Sequence, residues 1–164
     1  MSVERAMAGA GLTVGAFYAH FAGKDDLLEE SFTLALDEIG EVMRESAAGR
    51  TGRAALVDVT SYYLSEAHRD HTKEGCPMPA VAASAIPLGG RPLHRIVARG
   101  LEALALRLES IGAGDISSER ALALAVLMVG GQIIARATHG SPVSSRLLFA
   151  CRDAAKALLA SDRA

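Results

Sequence analysis

Apolar residues recur along most of the chain three and four positions apart, the spacing that gathers them on one face of an α-helix. No stretch alternates apolar and polar residues for long enough to make a strand, so the pattern predicts an all-α fold. From Lys24 to about Ala47, the residues Leu27, Leu28, Phe32, Ala35, Leu36, Ile39 and Met43 mark a long helix. Ala48-Gly-Arg-Thr-Gly52 breaks it, and a helix over about 53–65 follows with Leu56, Val59, Tyr63 and Leu64. Residues 67–79 are polar and then interrupted by Gly75, Pro77 and Pro79, which reads as a loop. A short helix over 80–86 is expected next, ended by Pro87 and Gly89-Gly90. A helix over about 92–111 turns Leu93, Ile96, Val97, Leu101, Leu104 and Leu108 inward. Gly112 to Gly114 end it, and Ser117 caps its successor with Glu119 in the first turn.

The last two helices are the most apolar. From Ala121 to Ala135 only Gln132 is polar, and a helix apolar on every side has to be covered on every side. The run falls short of the roughly 20 residues of a membrane span and is bracketed by Arg120 and Arg136, so no membrane is expected. Ala121, Ala125, Gly130 and Gly131 are small enough to admit a second helix closely. The final helix starts at Ser141-Pro142, a cap followed by proline at the first position, and carries Leu147, Leu148, Cys151, Ala155, Leu158 and Leu159. Two such helices, about 117–138 and 142–160, predict a self-complementary interface: a four-helix bundle across a homodimer.

The beginning of the chain has a different texture. Ser2 can cap a helix running to about Gly9, with Val3, Ala6 and Met7 on its apolar side. Gly11 suits the left-handed residue that closes a helix, and Thr13 can cap the next. Phe17 and Phe21 are four apart and can face inward together, leaving Tyr18 and His20 to point elsewhere. Gly23 ends that short helix, and Lys24-Asp25-Asp26 opens the long one with acids at its positive end. Two short helices joined by a glycine-bearing turn form a helix-turn-helix, whose second helix enters the DNA major groove.

The string Ala10-Gly-Leu-Thr-Val-Gly-Ala-Phe-Tyr-Ala-His-Phe-Ala-Gly-Lys-Asp-Asp-Leu-Leu28 closely resembles the DNA-binding segment of TetR-type transcriptional repressors. The pattern there is Ala-Gly-Val-Ser, a small pair, an aromatic, Tyr, any residue, His-Phe, then Lys, an acid and Leu-Leu. Ala67-His-Arg-Asp, Gly75-Cys-Pro and the helix with Gly130-Gly131 resemble one branch of the same regulators. The resemblance implies a helix-turn-helix module with its connecting helix over 1–46, and an effector-binding and dimerisation domain over 47–164. It implies that Thr13, Val14, Gly15, Tyr18, His20 and Lys24 face double-stranded operator DNA. Thr13, Tyr18, His20 and Lys24 suit phosphate oxygens, Gly15 allows close approach, and Val14 suits base edges. It further implies a pocket for a small lipophilic effector among the middle helices, where Tyr62, Tyr63, His68, Met78, His94 and Met128 are the candidate lining. Such proteins carry another helix and a basic arm ahead of the position of Ser2, so the expectation is a module short of its first helix. The alternative expectation is therefore a dimeric helical ligand-binding or interaction protein that has lost DNA binding through N-terminal truncation.

Composition changes this picture in a few places. With 164 residues, half of them hydrophobic, the chain can bury a core without disulfides, built from Leu, Ala, Val and Met because aromatics are scarce. Cys76 and Cys151 are far apart and read as reduced thiols of a cytoplasmic protein. A net charge of −2 is not that of a general nucleic-acid binder, and Arg5 and Lys24 face Glu4, Asp25, Asp26, Glu29 and Glu30 in the first thirty residues. His68, His71, Cys76 and Met78 put soft and imidazole ligands in one segment, but at no recognised zinc spacing, so no metal or cofactor is expected. No nucleophile elbow, carboxylate pair or phosphate-binding glycine loop is present, and no enzyme is expected.

Overall fold

The computed structural model describes residues 2–72, 75–88 and 91–160. They are all-helical, with helices α1 (Val3–Gly9), α2 (Val14–His20), α3 (Lys24–Ser46), α4 (Gly52–Tyr63), α5 (Glu66–Asp70), α6 (Met78–Leu88), α7 (Arg91–Gly112), α8 (Ser118–Ala137) and α9 (Pro142–Ala160). Packing divides the chain into two units, Met1–Leu34 and Ala35–Ala164, the division falling within α3.

In the first unit the local signals act as the sequence suggests. The Ser2 hydroxyl accepts from the Arg5 amide at 3.3 Å, and the Thr13 hydroxyl accepts from the Ala16 amide at 3.1 Å. Gly11 adopts φ +70°, which lets the Leu12 amide return to the Met7 carbonyl at 2.8 Å and closes α1. Val3, Met7 and Phe17 form a small core, with Ala6, Phe21 and Leu27 packed against it. At the start of α3 the Asp26 carboxylate accepts from the Ala22 amide at 3.0 Å, which fastens the incoming chain to the first turn, and Asp25 and Asp26 place acids at the positive helix end.

The second unit is a layered helical bundle. α8 packs on α9 and α7, α7 also on α6 and α4, and α4 also on α9. Leu36, Ile39 and Met43 of α3, Leu56, Val59 and Tyr63 of α4, Leu104 and Leu108 of α7, Leu124 and Met128 of α8 and Leu148 of α9 are buried. Each such aliphatic side chain contributes about 1.5–3 kcal/mol by leaving water. Polar groups pin the ends of elements. Asp115 accepts from the Arg53 amide at 3.0 Å and so caps α4 from 62 residues away, where Thr51 makes no side-chain cap. Arg107 of α7 reaches the Leu36 carbonyl and Asp37 of α3, crossing Gly40, where a Cβ would stand 2.9 Å from its Nε.

Three expectations need correction. The segment expected as a loop from residue 67 begins with a helical turn, α5, capped by Ser65 through the His68 amide at 3.1 Å. Consequently α4 stops at Tyr63, because Ser65 belongs to the next cap. α6 begins at Met78 and extends to Leu88, beyond the expected stop at Pro87; Pro79 in its first turn forfeits no helix bond. Gly89-Gly90, expected to end that helix, lie outside the described residues. Among the described residues α8 alone is long and apolar enough to cross a membrane by length and composition, and 44% of its most apolar window is buried inside the chain.

Candidate functional site

α2 owes its orientation to one residue. Phe17 is 2% exposed and sits in the small core, so the opposite side of this two-turn helix faces outward. All six residues expected on the DNA side are exposed: Thr13, Val14, Gly15, Tyr18, His20 and, at the start of α3, Lys24. Gly15 has only the Thr13 hydroxyl within 4 Å of where a Cβ would stand, so nothing shields the backbone there. Tyr18, 62% exposed, is steadied from below by the edge of Phe17, their ring centroids 5.0 Å apart. The arrangement offers hydroxyls, an imidazole and an ammonium around a bare strip of helix backbone. That is chemistry suited to phosphate oxygens and a groove floor.

The surrounding charge is less favourable to DNA. Glu4 is held below the ordinary carboxylate range, first by a backbone hydrogen bond and the Ser2 hydroxyl and, less strongly, by the Lys24 ammonium. Lys24 therefore already has a nearby carboxylate, and Asp25 and Asp26 follow it in exposed positions. Beside the small core lies an open groove of about 430 Å³, walled by Val3, Ala6, Phe17, Leu27 and Leu28, with Ser2, Lys24 and Ser31 at its polar margin.

In the second unit Tyr63, His68 and Cys76 are brought together. His68 is 4% exposed; its Nδ1 lies 2.7 Å from the Tyr63 carbonyl and its Nε2 accepts from the Cys76 amide at 3.1 Å. A carbonyl can only accept and an amide can only donate, so the ring is neutral, with its proton on Nδ1. Burial pushes the His68 imidazole below its ordinary value, against the opposing pull of the Tyr63 carbonyl. Gly75 makes this clamp possible, because a Cβ there would stand 3.0 Å from His68 Nε2 and 3.1 Å from the His71 carbonyl. The Tyr63 carbonyl also receives the Gln132 amide of α8, which reaches the Ser65 carbonyl at 3.4 Å as well.

The remaining pocket candidates separate. Met78 and Met128 are fully buried, Tyr62 is 37% exposed and His94 lies exposed on α7. Tyr62 stacks obliquely on His68, ring centroids 5.8 Å apart, and the two line an open cleft of about 280 Å³ with Ala67, His71 and Gly75. In this cluster Gln132 Oε1 is buried without a hydrogen-bond partner, and the buried Tyr63 hydroxyl has no nitrogen or oxygen partner, only the Cys76 thiol beside it. Burial, with the Cys76 thiol next to it, raises the Tyr63 phenol well above its usual range, so it stays a neutral donor. Burial likewise pushes the Cys76 thiol up, away from reactive thiolate. Among the described residues no group of three His, Cys, Asp or Glu side chains could hold a metal ion.

Sequence reasoning missed the role of Arg69. It is buried, forks onto both oxygens of Asp70 at 2.6 and 3.1 Å, and donates to the Ser144 hydroxyl at 2.9 Å, which in turn donates to the Ala135 carbonyl at 2.7 Å. One guanidinium thus ties α5 to α9 and, through it, to α8. The signal was an Arg-Asp pair inside a segment too polar to read as packed. α8 also keeps an uncovered stripe: Leu122, Val126 and Ile134 are 42%, 51% and 51% exposed, and at Gly130, on the same stripe, a Cβ would meet nothing within 4 Å. On α9, Val143 and Phe149 are likewise exposed, with the Arg152 guanidinium 5.9 Å from the Phe149 ring.

The chain matches no protein-family model, and no curated protein matches it at a significant level.

Proposed function

We propose that this chain is a ligand-responsive, DNA-binding transcriptional regulator of the TetR type, a repressor acting as a homodimer in the cytoplasm. The observation that carries the reading is the outward face of α2. A helix capped by Thr13 and anchored by Phe17 offers Thr13, Val14, Gly15, Tyr18 and His20 together, with nothing bulky over Gly15. In this reading the hydroxyls, His20 and Lys24 fix register on phosphates while Val14 meets base edges. Two such helices, one per subunit, occupy successive major grooves. The exposed stripe of α8 and the apolar residues of α9 support pairing of two copies, since Leu122, Val126 and Ile134 leave one side of an apolar helix uncovered.

A small, largely lipophilic effector belongs to the second unit, where Gln132 Oε1 is a buried acceptor without a partner and the Tyr63 hydroxyl has only the weakly bonding Cys76 thiol beside it. Its binding shifts the population toward a state with lower affinity for DNA. The role is one of binding; no residue is assigned to catalysis.

The acidic setting of Lys24 and the open apolar groove of the first unit favour a second reading, a dimeric helical ligand-binding or interaction protein without DNA binding. Footprinting on DNA upstream of its own gene separates the two. The regulator protects two half-sites about one helical turn (~34 Å) apart, whereas the interaction protein leaves the DNA uniformly cut.

A further inference from the structure

A second cleft, of about 490 Å³, opens where α5 meets the C-terminal end of α8, lined by Arg69, Asp70, Thr72, Arg136 and His139. Its charges are unevenly matched. Arg69, 9% exposed, is engaged by Asp70 and Ser144, so the Arg69 and Asp70 charges answer each other. Those hydrogen bonds hold the Asp70 carboxyl below the usual carboxylate range, which keeps it ionised and paired. His139 Nδ1 stands 3.4 Å from the same carboxylate and carries charge only when protonated.

Arg136 is different. Its Nη2 donates to the His68 carbonyl at 3.1 Å, which fixes the guanidinium in place. Its Nε is buried with no acceptor, and among the described residues no carboxylate pairs with it. A held guanidinium without a counter-ion, in a cleft that also offers the exposed Thr72 hydroxyl and an imidazole, is the arrangement that recognises planar or tetrahedral oxyanions. Asp70 is the one repulsive group on the wall, and Arg69 and His139 both face it.

We propose that this cleft binds a small oxyanion, the carboxylate or phosphate group of a small molecule, on Arg136 with Thr72 and His139 as supporting donors. The site adjoins the Tyr63 and His68 cluster through the Arg136–His68 hydrogen bond, and it does not depend on whether the chain meets DNA. Because Arg136 belongs to α8 and Thr72 follows α5, an occupant bridges the two elements.

The test titrates the full chain with inorganic phosphate and, separately, with acetate, exchanging each for chloride at constant ionic strength. Binding is read as a saturable rise in Tm and a saturable shift of the His139 imidazole resonances. Saturation by either probe is expected, and the tighter of the two identifies the head group as phosphate or carboxylate. Arg136→Gln is expected to abolish the response. Thr72→Glu, at an exposed position, places a carboxylate in the cleft and is expected to weaken binding at least tenfold, so it carries the test even where Arg136→Gln fails to fold. No saturable response to either probe, or undiminished binding by Thr72→Glu, overturns the proposal.

Discussion

His68 shows how much a single side chain is asked to do in this chain. It closes two hydrogen bonds with opposite requirements, donating to Tyr63 and accepting from Cys76, and only the neutral ring can do both. Its folded pKa lies below the ordinary value of 6.5, so the unfolded chain takes up the proton first as pH falls. The stability His68 contributes is therefore complete above about pH 6.5 and is lost as the pH drops from there through the lower folded value. Tm measured from pH 8 to pH 5 is expected to decline through that window in the wild type. In His68→Leu the decline through that window is expected to be much shallower, with about 1–3 kcal/mol of stability lost at pH 7.5 because the Cys76 amide is left unpaired. An equally steep decline in the variant would refute this account of the ring.

At the scale of elements, the two adjacent glycines of α8 have opposite surroundings. A Cβ at Gly131 would stand 2.9 Å from Leu64 Cδ2 and 3.2 Å from Cys151 Sγ, both in buried residues, whereas one at Gly130 would meet nothing within 4 Å. Alanine in a helix gains about 1 kcal/mol over glycine, and overpacking a filled core costs about 1–3 kcal/mol. Gly131→Ala is accordingly expected to lower the urea midpoint, and Gly130→Ala to leave it unchanged or raise it, when both are measured on the monomer. Equal effects would mean that α8 does not approach Leu64 and Cys151 as described. The same pair shows what the sequence could and could not disclose. Helical periodicity located α3, α7, α8 and α9 and the caps at Ser2, Thr13 and Ser117 because those signals are local. Which of Gly130 and Gly131 faces a neighbour depends on the rotation of α8 against α9, which no local signal encodes. α5 stayed hidden for a related reason: its buried residues are the polar His68 and Arg69, whose burial rests on side-chain hydrogen bonds outside the helix, to Tyr63, Cys76 and Ser144, that helical periodicity does not register.

The candidate sites divide along the same line. The outward direction of Tyr18 and His20 was legible because Phe17 and Phe21 fix by spacing which side is inside, and the ring of Phe17 is buried as expected, whereas Thr13, Val14, Gly15 and Lys24 were named through the family resemblance. The middle helices gave residue types but not directions, so His94 lies outside the cluster that Tyr63, His68 and Cys76 form, and Arg69 and Arg136 went unread. For the whole molecule, the exposed stripe of α8 makes a claim about assembly. Val126 is 51% exposed within one chain, so Val126→Arg is expected to change the fold of that chain by less than about 0.5 kcal/mol. In a dimer built on the stripe, the same change buries two like charges. Light scattering coupled to size exclusion is expected to give twice the chain mass for the wild type and the single-chain mass for Val126→Arg, with unchanged helical circular dichroism. A dimer that survives the substitution would move the interface elsewhere.

The central claim is that the outward face of α2 meets DNA. The most direct measurement is fluorescence anisotropy of labelled duplex from upstream of its own gene, titrated with the full chain over a series of salt concentrations. Binding through phosphate contacts predicts a logarithm of affinity that falls linearly with the logarithm of salt, each contact adding about 0.9 to the slope. Lys24→Ala is expected to reduce that slope by about 1. Tyr18→Ala, whose exposed ring leaves the small core intact, is expected to weaken binding at every salt concentration. Affinity that is absent at low salt, or that is indifferent to salt and to both substitutions, would contradict the account and leave the interaction protein as the reading that stands.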